Sequence, residues 1–199
     1  MKKHILCLGD SNTHGYCADP ADCADGGIRF NEDERWTCLL QKALGEDYLV
    51  TEEGLSGRTT VFVDPLHESM DALSVAYPLL KSHENIDLLI VMLGTNDTKE
   101  RFGANATCIG LGMDRLVRKA MSVDCWGSHE PNILIVAPPS IKPGFHDDAM
   151  GEGCVAVSYT HLMRRVVDLP QPEGPTRTIN SLSAISRLKP WTVGSVAPG

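Results

Sequence analysis

A serine, an asparagine and a glycine-containing loop carry the chemistry legible in this chain. Ser11 lies in Leu8-Gly9-Asp10-Ser11-Asn12-Thr13-His14-Gly15-Tyr16, directly after the apolar run His4-Ile5-Leu6-Cys7-Leu8. A strand that breaks at a Gly-Asp-Ser turn lifts its hydroxyl to the open end of a sheet, where α/β proteins place nucleophiles and ligand-binding loops. Gly, Asp, Ser and Asn are turn formers in any case, so the position after a strand carries the signal, more than the residue types. A serine hydroxyl attacks only when a base takes its proton and a donor stabilises the oxyanion that forms.

Asn96 follows a second such break, Leu88-Leu89-Ile90-Val91-Met92-Leu93-Gly94-Thr95-Asn96-Asp97. Its amide is suited to donate to developing negative charge. The plainer reading is that the Asn-Asp pair caps the next helix, a task open to Asp97 or Thr98 as well. The third piece is Glu53-Gly54-Leu55-Ser56-Gly57-Arg58-Thr59-Thr60. A glycine there lets a backbone N–H approach a ligand closely, and the alternative is an ordinary flexible connection. If the first and third strands are neighbours, all three loops converge on one crevice at the carboxyl edge of the sheet.

Four strands are expected to position these loops, at 4–9, 47–53, 86–94 and 132–138. Three are near-continuous apolar runs, as parallel strands covered on both faces require, while 47–53 reads as an edge strand. Helical patterns occupy 34–45, 69–83 and 108–123. The first places Trp36, Leu39, Leu40 and Leu44 on one face and stops at Gly45. Alternating strands and helices imply a doubly wound sheet.

The formal net charge of −8 argues against nucleic acid or a membrane surface as partner. The apolar runs are too short to span a bilayer, and no signal peptide follows Met1, which together point to the cytoplasm. The seven cysteines form no Cys-x-x-Cys pair, so no metal site is expected, and Cys7 and Cys38 read as small core residues. The composition changes near Cys154. Residues 155–199 hold five Lys/Arg against two acids, a net of +3, leaving −11 for residues 1–154. Five prolines between 170 and 198 exclude a central strand there, which leaves the 132–138 strand as a bare apolar edge.

Gly9-Asp10-Ser11-Asn12, Gly54–Thr60 with the following Val-Phe-Val-Asp-Pro, and Leu93-Gly94-Thr95-Asn96-Asp97-Thr98-Lys99 stand in the order and spacing of the SGNH hydrolases, the GDSL-type esterases. Pro138-Pro139 fits as well. The chain most resembles the small bacterial arylesterases and acyltransferases, from about residue 4 to about 154. The resemblance implies a flavodoxin-like three-layer α/β/α sandwich with a parallel sheet, here lacking the last strand and helix. It implies Ser11 as the nucleophile of a serine ester hydrolase acting on small acyl or aryl esters. The oxyanion hole would be the backbone N–H groups of Ser11 and Gly57 plus the Asn96 side chain. No cofactor or metal is implied, the partner is a small-molecule ester, and a homo-oligomer stays open.

Such a family closes with a late Asp-x-x-His block, the histidine acting as base and the aspartate orienting it. Here the residue three before His161 is Ser158, and no histidine follows. Asp64-Pro65-Leu66-His67 has the spacing but precedes the third strand, so His67 reads as a surface or pocket-rim residue. His14 would shape the pocket, and His146 would line it or lie on a loop. The division expected is therefore an SGNH-like domain over 1–154 and a foreign or out-of-frame tail over 155–199. Two other functions follow: an inactive remnant or small-molecule-binding module of the same fold, and a flavodoxin-like nucleotide or flavin binder. A missing Gly-x-Gly-x-x-Gly after the first strand removes the dinucleotide form of the latter.

Overall fold

The structure is a computed structural model that describes residues 1–138 and the backbone of three short strands at 146–147, 152–153 and 177–179. Strand β1 (Lys3–Gly9) lies between β2 (Tyr48–Gly54) and β3 (Leu88–Met92), and β4 (Ile133–Val136) pairs with β3. All these pairings are parallel. Helix α1 (Ser11–His14) follows β1 directly, α2 (Trp36–Leu44) precedes β2, α3 (Ala72–Ser82) precedes β3, and α4 (Ala106–Met121) precedes β4. This is the expected doubly wound arrangement, with β2 at one edge.

Side chains alternate across a strand, so each apolar run feeds two cores. Leu6 and Leu8 of β1, Leu89 and Val91 of β3, and Ile133 and Ile135 of β4 face α3 and α4. Their neighbours Ile5, Cys7, Ile90, Met92, Leu134 and Val136 face α2 and join Leu40, Trp36 and Leu44. Helices thus cover both faces in a three-layer α/β/α sandwich.

Two expectations about α2 change. Leu39 is 44% exposed, because the helix covers the sheet with the single line Trp36, Leu40, Leu44, and Leu39 lies a turn of about 100° off it. Cys38 is only half-buried, with its sulfur 3.3 Å from Arg35 Nη2 on a polar seam beside Glu52. Cys7, by contrast, is a fully buried core residue.

The edge expected to be bare also differs. Strand β5 (His146–Asp147) pairs antiparallel with β6 (Glu152–Gly153), and β7 (Arg177–Ile179) pairs parallel with β4, Leu134 opposite Arg177 and Val136 opposite Ile179. The prolines of that segment fall outside the three paired residues, two of which are β-branched. A strand this short is a common way to close an edge.

Candidate active site

The ladders place three chain ends side by side. Gly9, the last residue of β1, is opposite Gly54 on one side and Met92 on the other. The stretches that leave these points carry Ser11, Gly57 and Asn96, so the structure brings the three sequence-derived site residues to one edge.

Ser11 is half-buried at the first position of α1, where a helix leaves backbone N–H groups without intrahelical partners. Asp10 caps this turn. It is fully buried, and its Oδ1 accepts from the Asn12 N–H and from Asn12 Nδ2, both at 2.9 Å. Its Oδ2 is sealed from solvent with no hydrogen-bond partner among the described residues. Burial raises the Asp10 pKa, and the Asn12 bonds only partly oppose this. Asn12 Nδ2 also lies 3.3 Å from Thr95 Oγ1, which ties the serine turn to the loop after β3. Gly54 lets the end of β2 pack on α1: a Cβ there would meet His14 N at 2.2 Å and Thr13 C at 2.6 Å.

Beyond Gly54 the chain makes a turn closed by the Arg58 N–H to the Leu55 carbonyl, with Gly57 at a φ of 90°. That left-handed value at the third position of a turn favours glycine. The Leu55 N–H donates to the Gly9 carbonyl at 3.1 Å, so the turn stands directly above the end of β1. Asn96 is 7% exposed, and its Nδ2 donates to the Arg58 carbonyl at 3.1 Å. That bond uses one of its two amide hydrogens.

Asn96–Thr98 forms a 3-10 turn and does not cap α4, whose N-cap is Asn105, accepting from the Cys108 N–H. Asp97 turns inward, accepting from the Thr60 N–H at 3.0 and 3.2 Å and from the Thr60 hydroxyl. Burial pushes its pKa up to about 6, against the lowering effect of the Thr60 bonds. Asp97, read from sequence as a helix cap, instead holds Thr60, while Arg58 and Asp10 are parts of this site that sequence reasoning left without a role, although all three stand inside the motifs it selected.

The histidines divide. His14 is half-buried on α1, and its carbonyl accepts from Arg29 Nε at 2.8 Å. His67 is exposed, while Asp64 is buried, paired with Arg101 at 2.9 Å and bonded to the Leu66 N–H. Asp64 is thus engaged in holding its own loop. His146 is placed only through its backbone in β5, and His161 lies outside the described residues. Among the described residues no group of three His, Cys, Asp or Glu side chains is arranged to hold a metal ion. No helix among them is long and apolar enough to cross a membrane.

A parallel doubly wound sheet with a serine turn after its first strand and an asparagine turn after its third defines an SGNH-type α/β fold. The chain belongs to the GDSL-like lipase/acylhydrolase family, whose match covers residues 7–170 and so runs past Cys154. Among solved structures it is similar to the inhibitor-bound aryl esterase of M. smegmatis, at 40% identity and a TM-score of 0.63, covering 71% of this chain. The chain spans 66% of the length of that esterase. It is also similar to a carbohydrate acetylesterase from Sinorhizobium meliloti, at 30% identity and a TM-score of 0.73, with 94% of each chain covered. Comparison with the curated proteins returned no match.

Proposed function

We propose that the protein is a serine ester hydrolase acting on small acyl or aryl esters. Ser11 Oγ attacks the acyl carbon, its proton passing to a base, and the carbonyl oxygen becomes an oxyanion. The Ser11 and Gly57 N–H groups and the Asn96 amide receive that charge. Collapse expels the alcohol and leaves an acyl-Ser11 ester, which water then cleaves to free the acid and restore the hydroxyl. The observation that carries this reading is the convergence of three loops on one strand end, with the Gly57 turn bonded to β1 at Leu55 and to Asn96 at Arg58. The aryl esterase and the carbohydrate acetylesterase among its structural neighbours support the ester class.

A second reading rests on Ser158, which stands where an Asp-x-x-His block ending at His161 would need its aspartate. It makes the chain a scaffold that binds small acyl compounds without turning them over. A fluorophosphonate probe followed by mass spectrometry separates the two. The hydrolase reading expects a single adduct on the Ser11 peptide, lost in Ser11→Ala and suppressed by excess phenyl acetate. Folded protein that takes up no probe, or an adduct that survives Ser11→Ala, overturns it.

A further inference from the structure

Arg58 is only 6% exposed, and the partners of its guanidinium among the described residues are two backbone carbonyls. Nη1 donates to Gly9 O at 3.3 Å and to Glu53 O. These carbonyls lie at the point where the β1–β2 ladder ends, the Gly9–Gly54 pair being its last. A single guanidinium nitrogen, Nη1, reaches both from one side chain. Gly9 O then accepts twice, from Arg58 and from the Leu55 N–H that opens the turn. Burying this cation is costly, and its pKa is lowered by desolvation, which the charges of Glu53 and Asp10 only partly offset. Nε has no partner among the described residues.

We infer that Arg58 is a positioning residue whose guanidinium fixes the 55–58 turn on the ends of β1 and β2 and so sets where the Gly57 N–H stands relative to Ser11. The main chain of Arg58 serves the same end, its N–H closing the turn and its carbonyl holding Asn96. One residue therefore links the strand that presents Ser11 to two groups placed in the oxyanion hole. The catalytic part of this inference rests on the esterase reading; the structural part does not. Oxyanion donors act only when aimed at the charge that develops, so a shifted turn lowers kcat and spares KM.

The test compares wild type with Arg58→Met, which keeps the length and loses the donors, and Arg58→Lys, which keeps the charge and loses the planar guanidinium that reaches both carbonyls. Circular dichroism checks folding, and the lysine variant carries the test if the methionine variant does not fold. Amide hydrogen exchange is expected to quicken at least about tenfold at positions 55 and 58 in both variants, with the Thr59 and Ala72 amides unchanged. On p-nitrophenyl acetate, kcat is expected to fall roughly 10- to 100-fold with KM unchanged, less than for outright loss of an oxyanion donor. Added guanidinium should restore part of the activity of Arg58→Met. Unchanged exchange at 55 and 58 overturns the inference. So does full kcat in variants whose turn has loosened, or full recovery by lysine, which would assign Arg58 a charge effect instead. If wild type shows no serine-dependent turnover, the esterase reading fails, and the exchange data still decide whether Arg58 holds the turn.

Discussion

The connection between β2 and α3 has two halves of opposite character. Residues 55–60 are tied on every side: Leu55 to β1, Arg58 to β1 and β2, Thr60 to Asp97, and the Arg58 carbonyl to Asn96. Arg58, Thr59 and Thr60 are all buried. In residues 61–70, Val63 is 74% and Leu66 65% exposed, and the one buried side chain is Asp64, held by Arg101. A loop whose only task is to connect has no reason to bury polar groups, each of which costs free energy unless it is partnered. The first half does so where Ser11 and Asn96 meet it, and the second half passes over the surface. The contrast separates the proposed site from Asp64-x-x-His67, which has catalytic spacing but stands in the loose half.

The sharpest way to break this contrast is Asn96→Ala. Loss of the amide is expected to lower kcat on p-nitrophenyl acetate by about 10²–10³-fold with little change in KM, as for other oxyanion-hole donors. An effect below tenfold would place Asn96 outside the chemistry. Next comes Gly54→Ala, whose added Cβ would lie within 2.7 Å of the α1 backbone at three atoms. Moving backbone is costlier than repacking a side chain, so urea unfolding should show a loss of roughly 3 kcal/mol, the upper end of ordinary overpacking. Wild-type stability would show that α1 and β2 are not in contact.

Asp97 gives a pH-dependent test. Its folded pKa is raised, so its contribution favours the fold most below the ordinary value of 3.8 and is lost as pH rises through about 6. Compared with Asp97→Asn, wild type should lose roughly 2 kcal/mol of relative stability between pH 4 and pH 7. Urea midpoints measured across that range check this, and parallel curves would contradict it. His67→Ala should have the smallest effect, with kcat and KM within about twofold of wild type and stability within about 0.5 kcal/mol. A large loss of activity would mean that the loose half of the loop belongs to the site.

The sheet was legible because its signal is local. Runs such as Leu88–Met92 are continuous since both faces are covered, and β1 and β2 end at glycines. The edge character of β2 showed in its Thr51, Glu52 and Glu53. Leu39 differs because the helical period marks a face but not how wide a stripe the sheet accepts, and Cys38 differs because an apolar stretch does not show which of its residues meets a polar seam. The same limit hid the partners of the buried polar residues. Nothing near Asp97 in the chain announces Thr60, 37 positions away, and nothing near Arg58 announces Gly9. Strand β7 escaped because three residues are too few for a period, and the surrounding prolines dominated the reading.

The most direct test of the account is hydrolysis of p-nitrophenyl acetate by the purified chain beside its Ser11→Ala variant, with circular dichroism showing both folded. The account predicts turnover that falls by at least about 10³-fold on loss of the hydroxyl, as in serine hydrolases whose nucleophile is removed. Equal rates for the two proteins would contradict it, leaving an SGNH scaffold whose serine turn does no chemistry.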